Sequence, residues 1–379
     1  MRMACVALAL MLLACGDEEA STTTGGGATP GGGGSGGGGD DPLGLTFIDD
    51  HNIPTGFVLD GVEMGGLSGL WIDPASGQSW AICDDQDQYG PPRFYELGLV
   101  LTETELSITP ASFVAFDTGA TPMAEMDAEG IARAAGGELY VSAEGDTTPA
   151  VDPAILHLTE DGTLIRELTV DAKFSPTATS GVRRNQGFEA LTISPDGSTL
   201  FTATEGSLQQ DGPVASFEQG QRCRILRYDA VSGEPIAEHV YLTDPVPPAS
   251  PGMLGEANIG LVEMLALTND RLLTLERAAV QVDGLYTNTI RVYEIDLDDA
   301  VDVRGSDPMP TDAVPVHKRL VLDLDELLPE LEPAYPTLDN VEAMSFGPSL
   351  PDGRTTLVLM SDNNFGITQR TAFFAFAID

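Results

Sequence analysis

The sequence predicts an all-β fold, a single β-propeller of four-stranded blades, and two observations carry the prediction. The first is an internal repeat. Glu129-Gly130-Ile131, Glu189-Ala190-Leu191, Glu263-Met264-Leu265 and Glu342-Ala343-Met344 each open a short apolar run. After a turn and a further run come Ser142-Ala143-Glu144-Gly145, Ala203-Thr204-Glu205-Gly206, Thr274-Leu275-Glu276-Arg277 and Met360-Ser361-Asp362-Asn363. A fifth copy, Gly66-Leu67-Ser68-Gly69-Leu70 followed by Ala81-Ile82-Cys83-Asp84-Asp85, has Ser68 in place of the first acid. The second observation is periodicity: the units read as short apolar or alternating runs split by turn residues, without the sustained 3.6-residue period of a long amphipathic helix.

The N-terminus reads as targeting rather than fold. Arg2 precedes the apolar stretch Met3 to Leu13, which is too short to span a bilayer as a stable anchor, so residues 1–14 are expected to be a signal peptide. Leu12-Leu13-Ala14-Cys15 resembles the lipobox of bacterial lipoproteins, which makes Cys15 the expected lipidation site. Residues 15–42 are then a Gly/Ser/Thr-rich flexible tether, and 43–379 the propeller domain. The expected location is the bacterial cell envelope, at the outer membrane or cell surface, held by the lipid alone.

Within the domain, the second unit is the clearest. It predicts strands over Glu129–Arg133, Glu138–Ala143, Ala154–Leu158 and Leu164–Val170, with turns at Gly136-Gly137 and Glu160-Asp161-Gly162. The third repeats the plan over Phe188–Ser194, Leu200–Thr204, Arg224–Tyr228 and Ile236–Leu242. Four antiparallel strands per unit is a propeller blade. Motif spacings of 61, 60, 74 and 79 residues exceed the common repeat, and insertions at Gly206–Gln221, Thr243–Gly260, Asp298–Val316 and Asp325–Asn340 account for the excess. The last unit has only three strands, so Leu45-Thr46-Phe47-Ile48 is expected to complete it and close the ring. Five repeats are counted, and the insertions leave room for a degenerate sixth.

Composition narrows the partners. A formal charge of −41 excludes a nucleic-acid binder, whose phosphate contacts need a basic face. Outside the N-terminal segment the cysteines are Cys83 and Cys223, which an oxidising compartment permits to pair, although one falls on an inner and the other on an outer strand. Ser68 fails the GxSxG spacing, and His51, His157, His239 and His317 lie outside the motifs. The loop Asp85-Gln86-Asp87-Gln88-Tyr89-Gly90, with Glu96 at the twelfth place, matches an EF-hand loop in part, between strands rather than helices.

A residue at one fixed point of every blade lies on one ring about the channel. Glu129, Glu189, Glu263 and Glu342 are therefore expected on one ring, and Glu144, Glu205, Glu276, Asp362 and Asp84 or Asp85 beside them at the same mouth. Crowded carboxylates repel unless a cation compensates. Oxygen donors without His or Cys favour a hard cation, Ca²⁺ first. The alternative is that the acids hydrogen-bond backbone amides of the next blade and act as mortar. Arg183-Arg184 before Asn185, and Arg277 after Glu276, bring guanidinium groups near the same acids.

Three stretches together resemble the phytase-like family, described as "esterase-like activity of phytase": Asn185 to Leu191 with Ser194-Pro195-Asp196-Gly197 and Glu205-Gly206; Leu272 to Arg277; and Asn340 to Met344 with Ser361 to Phe365. The resemblance spans about Phe57 to Ile378. It implies a propeller, export, and hydrolysis of phosphoesters or small carboxylic esters. On this reading Glu189 and Glu205 are the first choices as metal ligands or general base, with Arg183, Arg184 or Arg277 stabilising an oxyanion. The chain departs from calcium-dependent propeller phytases in basic content, since Lys173 and Lys318 are its only lysines. Two other readings stand beside this one: a non-enzymatic propeller binding a ligand or an envelope partner protein, and a lactonase-like metal hydrolase using Asn185, Asn340 or Asn363 with the acids.

Overall fold

The computed structural model of the protein describes residues 43–86, 88–116, 126–248, 255–282, 285–331 and 337–379. The signal segment, the tether, Cys15 and Asp87 lie outside the described residues. The described strands form five four-stranded antiparallel sheets arranged as a five-bladed propeller, with two small hairpins. After β1 (Leu45–Ile53) comes a hairpin of β2 (Val58–Leu59) and β3 (Val62–Glu63). Blade 1 is β4 (Leu67–Ile72), β5 (Gln78–Cys83), β6 (Arg93–Leu101) and β7 (Leu106–Ala115). Blade 2 is β8 (Ala128–Arg133), β9 (Leu139–Ala143), β12 (Ala154–Leu158) and β13 (Leu164–Glu167), interrupted by a hairpin of β10 (Asp146–Thr147) and β11 (Ala150–Val151). Blade 3 is β14 (Phe188–Ile193), β15 (Thr199–Thr204), β16 (Arg222–Asp229) and β17 (Glu234–Leu242). Blade 4 is β18 (Glu256–Ala266), β19 (Arg271–Val282), β20 (Leu285–Asp296) and β21 (Lys318–Asp323). Blade 5 is β22 (Asn340–Gly347), β23 (Thr356–Asp362) and β24 (Thr371–Ile378), completed by β1.

The ring closes as the sequence predicts. β1 pairs antiparallel with β24 from Leu45 opposite Ile378 to Ile53 opposite Thr371, so the last blade gains its outer strand from the start of the domain. The count is five. Among the described residues the insertions add no further blade.

Each blade packs both faces against neighbours, which explains why its inner strands are apolar runs rather than strict alternations. The hydrophobic core is correspondingly divided into one cluster per blade interface. Leu70, Ala81 and Tyr95 of blade 1 meet Val358, Met360 and Phe373 of blade 5. Leu273 and Val292 meet Leu359 and Phe374 between blades 4 and 5, and Tyr140 and Ile155 meet Phe188 and Leu226 between blades 2 and 3. Phe201 and Tyr241 meet Met264 and Leu272, and Trp80 and Phe94 meet Ile131 and Leu156. Fully burying such a side chain is worth roughly 1.5–3 kcal/mol.

Insertions serve as edge covers. The Asp298–Val316 segment leaves blade 4 and runs along the outer strand β17 of blade 3, with Val303 N donating to Glu238 O and Val316 N to Val240 O. Beneath it, Arg224 is bidentate on Asp211 and bonds Glu238, whose other oxygen takes Lys173 Nζ at 2.7 Å, all with buried side chains. Lys173, half of the chain's lysine content, is thus a structural cation. Cys83 and Cys223 remain free and buried, donating to Gly65 O and Glu205 O, so the bridge that their compartment would permit does not form. No helix among the described residues is long and apolar enough to cross a membrane.

Candidate metal site at the channel mouth

The inner strand of every blade carries a β-bulge at the motif. Register shifts fall between Leu67 and Gly69, Ala128 and Ile131, Phe188 and Leu191, Leu261 and Glu263, and Val341 and Ala343. A bulge leaves its extra residue unpaired and re-aims that side chain. The residues so placed are Ser68, Glu129, Glu189, Val262 and Glu342. The second acids follow the neighbouring strand: Asp84, Glu144 and Glu205 donate their backbone N–H to Gly66 O, Asp127 O and Gly187 O.

Blade 4 breaks the expected pattern by one residue. There Gly260 pairs with Arg277 and Leu261 with Glu276, whereas in blade 3 Phe188 pairs with Thr204. Val262 therefore occupies the place of Glu189, and Arg277 the place of Glu205. Because strand side chains alternate, the slip turns Glu263 and Glu276 away from the channel. Glu263 Oε1 accepts from Met264 N at 2.8 Å and Leu191 N at 3.2 Å, between the inner strands of blades 3 and 4. Glu276 accepts from Tyr241 Oη at 2.7 Å and Asp244 N at 3.0 Å and pairs with Lys318. Both act as mortar, and neither lines the mouth.

The remaining acids converge on a cavity of about 610 Å³, lined by Asp84, Asp127, Glu129, Glu144, Glu189, Glu205, Glu342 and Arg277, with amides from Asn185, Asn258, Asn288 and Asn340. One oxygen each of Asp127, Glu129 and Glu144 lie within 4.8 Å of one another, as do oxygens of Glu144, Glu189 and Glu205. Glu144 belongs to both groups. It reaches across the blade interface because Gly187 has no side chain: a Cβ there would stand 1.9 Å from Glu144 O, and Gly187 N donates to Glu144 Oε1. Gly260 makes the same room for Glu205, whose Cγ lies 2.2 Å from where a Cβ would stand.

Burial first, and then mutual repulsion, pushes these carboxyls up. Glu129, Glu144, Glu189 and Asp84 are held well above the carboxylate range by desolvation and by neighbouring acids. Asp127 is raised to about 6 by burial, with hydrogen bonds from Gln86, Glu144 and Glu129 opposing. Glu205 is raised to about 7 by burial, which Arg277 opposes. Asp362, fully buried, is also raised to about 7 by burial and Glu342. It sits behind the lining, one oxygen accepting from Asn364 N and the other, Oδ2, without a partner among the described residues. Arg277 is the guanidinium in the ring, 2.8 Å from Glu342 Oε1 and 3.4 Å from Glu205 Oε1. The acids outnumber it, and a bound cation would lower the pKa of every carboxyl near it.

Arg183 and Arg184 are not at the mouth. Arg183 is spent on Ser207 O and Gly212 O, tying down the insertion after blade 3's second strand, and Arg184 is exposed outside the lining. The EF-hand-like loop is also built for another purpose. The Asp85 carboxylate accepts from Gln88 N, Tyr89 N and Gly90 N and pairs with buried Arg93 at 2.8 Å, leaving little of it for a metal. That loop instead presents Tyr89, whose ring lies flat on Phe365, centroids 4.0 Å apart and planes 8° apart.

Sequence reasoning missed Asp127, Asn258, Asn288 and Tyr89. Asp127 stands two places before the bulge residue, where blades 1 and 3 have Gly66 and Gly187, so aligning those copies of the repeat would have exposed an acid in a glycine column. Asn258 and Asn288 come from the blade 4 hairpin β19–β20 and its partner strand, whose extra length carries no repeat signal.

Comparison with known proteins gives four results. An uncharacterized secreted protein of Arthroderma benhamiae is 39% identical over 64 residues, 17% of this chain and only 12% of that protein. An endo-arabinase from Bacteroides thetaiotaomicron matches at 12% identity, covering 88% of this chain and 97% of its own, with a TM-score of 0.44. A glycosidase-like protein of the same organism matches at 9% identity and a TM-score of 0.46, covering 83% and 88%. Likeness at these levels carries nothing about chemistry. The sequence model of the phytase-like family, described as esterase-like activity of phytase, matches residues 62–365, most of the propeller, and the chain belongs to that family.

Proposed function

We propose that the channel mouth binds Ca²⁺ and that the protein is an exported, lipid-anchored hydrolase of phosphoesters or small esters. The observation that supports the metal best is Glu144 shared between two carboxylate groups, each compact enough for one ion. The donors fit a hard cation: they are oxygens only, and Asn258 Oδ1 is a further buried acceptor at the cavity with no hydrogen-bond partner among the described residues. Asp127, Glu129, Glu144, Glu189 and Glu205 would hold the ion, which when bound would polarise a phosphoryl or acyl oxygen of the substrate. Glu205, at the edge of the carboxylate cluster beside Arg277, is the carboxylate assigned to take a proton from water when it is not itself bound to the ion. Arg277 is placed to hold negative charge on the substrate, since it reaches the cavity between Glu205 and Glu342. Among the described residues of the lining Arg277 is the one basic side chain, which argues for one phosphate or one carboxyl-derived oxyanion rather than a polyphosphorylated substrate.

Export and lipidation rest on the signal segment and on Cys15, and the secreted designation of the fungal relative agrees with export. A lactonase-like reaction is favoured by one feature, the presence of Asn185 and Asn340 in the same lining as the acids. The test is direct. Ca²⁺ added after chelation raises the melting temperature of the mature protein, and an unchanged melting curve removes the metal reading. Turnover is then scored on p-nitrophenyl phosphate, bis(p-nitrophenyl) phosphate, short acyl esters and γ-lactones, with Glu189→Gln and Glu205→Gln as controls. Activity surviving both substitutions would place the reaction elsewhere, and Ca²⁺ binding without any turnover would leave a binding propeller.

A further inference from the structure

The aromatic pair at the cavity rim is built, not incidental. Tyr89 is half-exposed, yet its ring is held parallel to Phe365 from two sides. On one side the buried Asp85 carboxylate gathers three successive backbone N–H groups, from Gln88 to Gly90, and fixes the loop that carries Tyr89. On the other, Asn364 and Phe365 are consecutive non-glycine residues at φ 45° and 51°, in the left-handed region. Such residues cost on the order of 1–3 kcal/mol each and persist only where the surroundings impose them. Here Asp362 Oδ1 accepts from Asn364 N and Asn363 Oδ1 from Phe365 N, both at 2.9 Å.

Neutral amides line the same cavity. The side chains of Gln88, Asn185 and Asn364 are exposed, line the cavity and make no hydrogen bond to protein groups among the described residues. A flat apolar face beside unspent donors and acceptors, over a floor of carboxylates, is complementary to one kind of molecule. An alkyl or aryl group would satisfy the ring but make no use of the amides, which would keep their hydrogen bonds to water, and a polyanion would be repelled by the acids. A sugar ring presents C–H groups on its face to the aromatic ring. Its hydroxyls accept from the amides and donate to the carboxylates.

We propose that Tyr89, stacked on Phe365, is the platform of a subsite for a neutral sugar ring, with Gln88, Asn185 and Asn364 of the same lining reading its hydroxyls. The proposal deepens the functional reading above by naming the part of the substrate that lies beyond the reacting bond. It rests on the channel mouth being the ligand site, and not on which reaction occurs there.

Saturation-transfer NMR on the mature Ca²⁺-loaded protein tests it, using methyl gluco-, galacto-, manno- and xylopyranosides and their β-linked disaccharides as probes, with phenyl acetate as the non-sugar control. The expected result is transfer to the ring C–H protons of at least one sugar. Affinity should fall about tenfold or more in Tyr89→Ala and stay within about twofold in Tyr89→Phe. Because Tyr89 is half-exposed, the melting temperature of Tyr89→Ala should match wild type, which separates lost stacking from lost fold. Binding by no sugar, equal binding by Tyr89→Ala, or a Tyr89-dependent signal from phenyl acetate alone would each overturn the proposal. Hydrolysis of p-nitrophenyl esters by the same preparation reports separately on the reaction, so the two readings fail independently.

Discussion

Blades 3 and 4 share one hydrogen-bonded frame and carry opposite charge at the same point of the channel. In blade 3 the bulge presents Glu189 and the neighbouring strand ends on Glu205. In blade 4 the corresponding residues are Val262 and Arg277, because the pairing is one residue out of step with the motif. Both blades keep a carboxylate in the sequence pattern, yet Glu263 and Glu276 are consumed in holding strands together, and Glu189 and Glu205 face an open cavity. The difference shows that residue type in a repeat does not settle its role. The register of one strand pair decides whether an acid is mortar or lines the cavity, and here it also brings a guanidinium into the acid ring.

The strongest way to break this comparison is to remove that guanidinium. Arg277→Met leaves Glu205 and Glu342 buried without their cation. Removing one partner of a buried ion pair typically costs about 3–5 kcal/mol. Denaturant unfolding of the Ca²⁺-free protein at pH 8 should show that loss, and saturating Ca²⁺ should recover part of it by neutralising the same acids. Wild-type stability in the variant would mean that Arg277 is incidental to the ring.

Next in size is the effect of pH on the metal-free protein. Glu205 and Asp362 have folded values of about 7, and Asp127 about 6, against 4.5, 3.8 and 3.8 for the unperturbed groups. The native state therefore holds protons that the unfolded chain releases. The associated stability is fully present below about pH 4 and is lost as pH rises through 7. For Glu205 alone the loss is roughly 3 kcal/mol. Melting temperature with chelator present should fall from pH 5 to pH 8, and the increment produced by Ca²⁺ should grow over the same interval. A flat profile would mean that these acids are solvated.

Much of this was legible in the chain. The repeat gave the blades, the missing fourth strand of the last unit gave the closure by β1, and strand limits in units two and three agree with the structure to within three residues. The acids at Glu129, Glu144, Glu189, Glu205 and Glu342 were found because four blades keep the motif in register. Glu263 and Glu276 were misplaced for a physical reason: a bulge adds a residue that no sequence spacing reveals, and one residue reverses the face of a strand, whereas Arg183 and Arg184 lie in the loop before β14, where no strand period fixes the direction of a side chain. The amides of Asn258 and Asn288, and the stacking of Tyr89 on Phe365, come from loops and long strand ends outside the repeat.

Removing the shared ligand should matter less to stability and more to the metal. Glu144→Gln takes one oxygen charge from both carboxylate groups at once, and Ca²⁺ affinity by calorimetry should weaken at least about tenfold, near 1.4 kcal/mol. Equal affinity would show that neither group holds the ion.

The smallest expected effect gives the sharpest contrast between the two blades. Glu263 is fully enclosed, burial holds its carboxyl well above the usual range, and one of its oxygens accepts two backbone N–H groups. Glu263→Gln preserves shape and that oxygen acceptor, so stability should change by less than about 1 kcal/mol. Ca²⁺ affinity should not change at all. Glu189→Gln, at what the motif would call the same position, should weaken Ca²⁺ binding while leaving the fold equally intact. If the two variants lose Ca²⁺ to the same degree, the register slip in blade 4 has no functional meaning, and all four repeat acids belong to one site.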